Sequence, residues 1–401
     1  MTEKQPLCQP RWYCQVELTI NLIRMSHSCG WSRQMKSSSN YVPAIIFLLT
    51  SGLLLPFLFL LSKTGSRVAV QVSVPIMLAI IASLICGVLI HEIRFYAYAI
   101  AMIGVALRAV SVIFSPVSSD VLTLSAKGAT LIASGQNPYE VLSLFAYPPL
   151  EPLFYIPFAG LDLRWVEFGS GSLIVLILFV TSLRSKDQSA SALYLAIYCF
   201  STLMVAFVGV STNDTSAALF PFLGIWLIMF SSNRHKYDYA GVLLGLGLTF
   251  KQFGIFPLIF VIGFLIKRKG PWLRTAIVAG VTIVAISLPF FLWNPTDFLF
   301  DVVIFHLAVR ITSPYYVIAA LNPLFLGPLL LLLQLSLTTV LTVFLLYRIT
   351  NWAECQLAWT SVFLVSLVLG RYFAPSYFAY IMPFWILAGM SSLPRPQHHV
   401  V

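Results

Sequence analysis

The sequence predicts an all-α polytopic membrane protein of about 12 transmembrane helices, two of them paired in one short hairpin. Three observations carry that expectation. Of the 401 residues, 59% are hydrophobic and 9% charged, with a mean hydropathy of +0.89; a soluble domain carries roughly 25% charged residues. Several runs with almost no charge, among them 41–62, 68–90, 190–210 and 324–347, reach the roughly 20 residues that a helix needs to cross the hydrocarbon. The basic residues also segregate. With the N-terminus inside, sixteen Lys and Arg fall on the cytoplasmic side and seven outside, with Arg108 left within a span, as the positive-inside rule requires.

Spans are expected at 41–62, 68–90, 95–114, 165–183, 190–210, 214–231, 240–250, 253–266, 272–292, 324–347, 352–370 and 376–391. Residues 41–392 then form a single transmembrane domain between cytoplasmic tails at 1–40 and 393–401. The first tail is expected to be disordered, or to precede a natural start at Met35-Lys36, and it carries no cleavable-signal pattern. The formal charge of +10 would suggest nucleic acid in a soluble protein; here it is explained by the inner loops, and no nucleic-acid partner is expected. Cys8, Cys14, Cys29, Cys86, Cys199 and Cys355 are not placed for an outer-surface disulfide and form no close C-x-x-C pair, so no metal is expected of them.

The first large outer loop, 115–163, is long enough to demand a function or disorder, and its composition argues for order. From Asp120 to Ala133 the apolar residues share one helical face, with Asp120 as N-cap and Gly135 as stop. After Tyr147-Pro148-Pro149, the stretch 150–161 carries Glu151, Pro152 and Pro157; it is too short and broken to cross, so an interfacial position follows. Arg234–Lys236 and Lys267–Lys269 both look cytoplasmic, so the chain between them must go out and return as two short helices with Lys251-Gln252 at the apex. The second outer loop, 293–314, places Asp297, Asp301, His306 and Arg310 at helical spacing, which suits an amphipathic interfacial helix.

The polar groups that call for explanation therefore gather on one side: Arg108, Asp120, Lys127, Asn137, Tyr139, Asn213-Asp214, Lys251-Gln252, His306, Arg310 and Arg371-Tyr372. Charge at a span centre costs at least about 2.5 kcal/mol, so each is a candidate. One carboxylate after an outer helix end, with several cations around it, describes an anionic-substrate pocket containing a base. Bland readings stand beside these. Asp120 and Asn213-Asp214 can cap helices, Lys251 and Arg371 can snorkel, His306 and Arg310 can be a solvated face, Arg108 can pair with an acidic loop residue, and Tyr147-Pro148-Pro149 can be shape.

The run Ser119-Asp120, Ala126-Lys127-Gly128-Ala129, Gly135-Gln136-Asn137-Pro138-Tyr139 and Tyr147-Pro148-Pro149-Leu150, followed by Pro157-Phe158-Ala159, resembles the first outer loop of the GT-C glycosyltransferases that use polyprenyl-phosphate sugars. It is most similar to the family 87 alpha-mannosyltransferases. Asn213-Asp214, 245–252 before Pro257, and Arg371-Tyr372-Phe373-Ala374-Pro375 fit as well, so the resemblance covers about residues 95–390. It implies a GT-C-like fold with amphipathic helices in the outer loops, and a hexosyltransferase. A sugar, mannose by this branch, would pass from a lipid-linked donor to a glycolipid, glycan or protein acceptor outside a plasma membrane, with inversion and without cofactor or metal. The family's loop acid maps onto Asp120 as general base. Lys251, Arg371, Arg310 and His306 are the donor-phosphate ligands, and Lys127, Asn137, Tyr139, Tyr147, Asp214, Gln252 and Tyr372 are substrate contacts. No Asp-x-Asp occurs in the chain, which suits a donor that is not a nucleotide sugar. A secondary transporter of an anionic solute, whose polar groups would sit near the midplane, often with internal repeats, and a non-catalytic lipid-binding scaffold remain the alternatives.

Overall fold

The structure is a computed structural model and describes residues 93–115, 120–142, 144–210, 212–305, 323–369, 374 and 376–393. The expected spans 41–62 and 68–90, the segment 1–40, and residues 394–401 lie outside the described residues. Among the described residues the regular structure is helical throughout.

In chain order, α1 (Ile93–Phe114) leads into the first outer loop, which folds as α2 (Val121–Ala133), α3 (Pro138–Val141) and α4 (Leu150–Tyr155) continuing as a 3-10 turn, Ile156–Phe158. There follow α5 (Arg164–Leu183), α6 (Gln188–Phe200), α7 (Thr202–Gly209), α8 (Asp214–Phe230), α9 (Lys236–Phe250) and α10 (Ile255–Lys267). Then come α11 (Trp272–Trp293), α12 (Pro295–Leu299) with a π-helical turn at Phe300–Ile304, α13 (Pro323–Arg348), α14 (Trp352–Leu369) and α15 (Tyr377–Ser392).

Among the described residues, five helices are long and apolar enough to cross a membrane: α1, α5, α11, α13 and α14. The other expected spans within the described residues are helical but shorter, so the described residues do not confirm the expected count of 12. The expected single span 190–210 is broken at Ser201, whose ψ of 115° ends α6 before α7 begins. The physical reason lies in α1. Arg108, fully buried, donates from its guanidinium to the carbonyls of Tyr198 (3.2 Å) and Cys199 (3.3 Å) and lies 4.8 Å from the Tyr198 ring. Those carbonyls belong to the last turn of α6, which has no helical donor for them. Arg108 therefore closes a helix end, and among the described residues it pairs with no acidic loop residue. Non-helical backbone is tolerated at this depth only where protein supplies such partners.

The helices do not associate through the hydrophobic effect, because lipid is as apolar as leucine; close packing does the work. In α9, a Cβ on Gly241 or Gly245 would come within 2.8 Å of the Thr275 or Ala279 carbonyl oxygen of α11, and one on Gly247 within 2.8 Å of Pro221 in α8. The three glycines thus let α9 lie flush between α8 and α11. The opposite face of α11 presents Ile277, Val281, Val284, Leu288 and Leu292, and α13 exposes Leu332, Leu333, Val340, Val343 and Phe344. Those stripes are where acyl chains belong. The protein-facing core runs through α1, α5, α6, α8, α9, α10, α14 and α15, with Trp359, Phe222, Phe260, Phe363 and Phe384 fully enclosed.

In the described part of the first outer loop, the helix expected over 120–133 forms. α2 ends in a Schellman motif: Gly135 adopts φ +75°, its N–H reaches Ile132 O (2.9 Å), and Gln136 N–H reaches Leu131 O (2.8 Å). Asn137 then caps α3 by accepting from Tyr139 N–H at 3.1 Å. Tyr139 anchors an aromatic cluster with Phe145, Phe290 and Phe298, and so ties the first outer loop to the second.

Candidate functional site

The polar centre of the molecule lies where the first outer loop meets the starts of α8 and α10. Asn213 and Asp214 open α8, and Lys251 is the extended residue joining α9 to the next turn, with φ −152° and ψ 135°. The Lys251 ammonium donates to Asp214 Oδ1 at 2.5 Å and to Asn213 Oδ1 at 2.8 Å, and it lies 5.4 Å from the Phe253 ring and 5.5 Å from the Tyr377 ring. Asn213, Asp214 and Tyr377 lie far from Lys251 in sequence, whereas Phe253 is two residues on. Lys251 therefore does not snorkel, and Asn213-Asp214 make no side-chain cap; both side chains are engaged by Lys251.

The same Asn213 amide donates through Nδ2 to Glu151 Oε1 at 3.1 Å, which also accepts from the Ser125 hydroxyl of α2. Glu151, in α4, is fully buried, and among the described residues its Oε2 has no partner. Burial pushes its carboxyl up from the ordinary 4.5 to about 7, against the opposing hydrogen bonds of Ser125 and Asn213 and the nearby Lys251 charge. A second buried carboxylate, Glu167 in α5, accepts from the Tyr155 hydroxyl at 2.7 Å and from Ser216 N–H at 3.1 Å, and from the Ser216 hydroxyl. The loop, α5 and α8 are thus joined by two carboxyls that composition alone leaves unpaired.

Gln252 follows Lys251 and donates to the carbonyls of Ala146 (2.9 Å) in the first outer loop and Val302 (3.3 Å) in the second. Asp301 accepts from Phe145 N–H at 3.0 Å in parallel; burial raises its carboxyl above the ordinary range, opposed by that hydrogen bond. Leu144, at φ 65°, is held in the left-handed region between these ties, a conformation that costs a bulky residue of the order of 1 kcal/mol. At the loop-facing ends of these helices, Arg164 pairs with Asp162 at 2.6 Å and donates to Ser115 O at 2.5 Å and Gly209 O at 3.4 Å, binding the ends of α1 and α7 to the start of α5.

The sequence-expected residues divide accordingly. Lys251, Asp214 and Gln252 come together, with Asn213 between. Asp120 stands at the start of α2, exposed, and its side chain makes no cap hydrogen bond; Lys127 is also exposed. Asn137 and Tyr139 are buried in the loop's own structure, and the Tyr139 hydroxyl donates to Tyr147 O at 2.7 Å. His306, Arg310, Arg371 and Tyr372 lie outside the described residues. Glu151 and Glu167 were not among the expected site residues. The signal that finds them is an ionisable residue within an otherwise apolar segment.

A multi-helix membrane protein with an ordered outer loop sealed onto a buried Lys–Asp pair is the class that fold and site define. The sequence model of glycosyltransferase family 87 matches residues 145–375, and the chain belongs to that family. The match takes in Glu151, Asp214, Lys251 and Gln252 but begins after Asp120. Among solved structures, the chain is similar to ArnT from Cupriavidus metallidurans bound to undecaprenyl phosphate, at 18% identity and a TM-score of 0.46, over 74% of this chain. It covers 60% of the length of that structure. No curated protein matches the sequence.

Proposed function

We propose that this protein is a membrane glycosyltransferase that moves a sugar, mannose, from a polyprenyl-phosphate donor to an acceptor hydroxyl at the extracytoplasmic face. Family membership supports the reaction class, and one structural observation carries the location: the first outer loop is hydrogen-bonded, through Glu151 and Asn213, to the Lys251–Asp214 pair. That arrangement sets a cation directly beneath the loop that would cover a substrate.

In the proposed reaction the acceptor oxygen attacks the anomeric carbon from the face opposite the phosphate. The sugar–phosphate bond breaks, polyprenyl phosphate leaves, and Asp120 takes the hydroxyl proton, so the anomeric configuration inverts. Lys251, with Arg371, Arg310 and His306, holds the departing phosphate; charge-assisted hydrogen bonds of that kind stabilise the developing anion. Asp120 suits the base because its carboxylate is exposed and makes no cap bond. The donor's charge is already a lipid phosphate, so the reaction needs no metal-bound diphosphate. The distribution of Lys and Arg supports cytoplasmic termini and an outer site; a sequence without a large soluble domain suits the plasma membrane.

Purified protein in lipid nanodiscs, given labelled polyprenyl-phosphate-mannose and candidate glycolipid, glycan and peptide acceptors, is expected to transfer label. Asp120→Asn should lower turnover by about 10²–10⁴-fold with donor binding kept. Undiminished turnover in that variant removes the base assignment, and transfer from other polyprenyl-phosphate sugars but not mannose removes the sugar assignment.

A further inference from the structure

Resting on the proposed reading of Lys251 as a donor-phosphate ligand, we infer that Glu151 is a positioning residue that sets, through the Asn213 amide, how readily the Lys251 ammonium is given up to an anionic ligand. The geometry supports this at each link. Both ends of the Asn213 amide are used, Nδ2 toward Glu151 at 3.1 Å and Oδ1 toward Lys251 at 2.8 Å, so the amide cannot turn without breaking one contact. Asn213 and Glu151 are both fully buried, so water does not screen what passes between them. Glu151 Oε2 is unpartnered among the described residues, and a buried carboxylate oxygen in that state favours the neutral acid.

The charge state of Glu151 then matters to Lys251. With Glu151 neutral, Lys251 is balanced by Asp214 alone, and a phosphate can share it. With Glu151 ionised, a second carboxylate stands behind the same amide, holds the cation inward and repels an incoming anion. The ionisable groups coupled to Glu151 are Lys251 and Glu167, with the Tyr139 and Tyr155 hydroxyls; Asp214 stands beyond Asn213. From α2 it meets the Ser125 hydroxyl, while Lys127 of that helix is exposed. Raised by burial to about 7, the Glu151 carboxyl changes state within the range from pH 5.5 to 8.5.

The test is binding of undecaprenyl phosphate to the full chain in nanodiscs from pH 5.5 to 8.5, wild type beside Glu151→Gln. The ligand's own phosphate titration is common to both and cancels in the comparison. Wild-type affinity is expected to fall relative to Glu151→Gln by on the order of tenfold across that range. Parallel curves would overturn the inference, while absence of wild-type binding at every pH would overturn the donor reading beneath it. Should Glu151→Gln fail to fold, Ser125→Ala serves: it removes a hydrogen bond that favours the ionised carboxylate, so the midpoint of the pH dependence should move upward. An unmoved midpoint would likewise sink the proposal.

Discussion

Replacing Asp214 by Asn removes the counter-charge 2.5 Å from the Lys251 ammonium while keeping the side-chain volume. The two side chains are 3% and 10% exposed, so the loss is that of a buried pair, for which removing one member costs about 3–5 kcal/mol. Asn213 Oδ1 at 2.8 Å and the faces of Phe253 and Tyr377 remain around the cation, which places the expected loss near the lower end, about 3 kcal/mol. The assay is the unfolding midpoint in detergent micelles by intrinsic fluorescence. Lys251→Met combined with Asp214→Asn should recover much of the loss, because no uncompensated charge is left. Undecaprenyl phosphate should raise the midpoint of Asp214→Asn more than that of the wild type, since under the proposed function the lipid phosphate supplies the missing anion, and should raise that of the double variant least. The reasoning is refuted if Asp214→Asn is as stable as the wild type, or if the double variant is no more stable than the single one.

Stability should also depend on pH through Glu151, whose folded midpoint of about 7 lies above the ordinary 4.5. The folded protein keeps a proton that the unfolded chain releases, so stability is full below about 4.5 and declines by up to about 3 kcal/mol as pH rises to 7; Glu151→Gln should flatten that slope in a thermal-unfolding series. Gly245→Val puts a Cβ 2.8 Å from the Ala279 carbonyl oxygen and is expected to cost about 1–3 kcal/mol by forcing α9 off α11, read as a lower unfolding midpoint than that of Gly280→Val, where a Cβ meets nothing within 4 Å. Gln252→Ala leaves the Ala146 and Val302 carbonyls without their shared donor; a loss of about 1–3 kcal/mol should accompany faster hydrogen exchange in residues 142–147, and unchanged exchange there would count against the tie. Gly135→Ala, at φ +75°, should cost about 1 kcal/mol through the Schellman turn without altering donor binding.

Much of this molecule is legible in its residues because lipid imposes strong periodic demands. α1, α5, α11, α13 and α14 were readable from length and lack of charge, and α2 from its cap position, apolar face and Gly135. The break at Ser201 is marked locally by no more than Ser201-Thr202 in an apolar run; the contact that closes the helix end comes from Arg108, some 90 positions earlier in the chain. The candidate site shows the same division. The pairing of Lys251 with Asn213-Asp214 could be suspected from polar residues interrupting apolar runs, but Glu151 reads locally as a mark of an interfacial segment. Its meaning depends on Ser125 and Asn213, contacts across 26 and 62 positions.

Gln252 stands next to Lys251 and grips two stretches of chain that are over 150 positions apart. A shift of the ammonium toward a ligand would therefore be expected to pull on both loop segments, through Ala146 and Val302. Closure over the bound lipid and capture of its headgroup would be a single mechanical event, so that a ligand lacking the phosphate should leave those segments where they are.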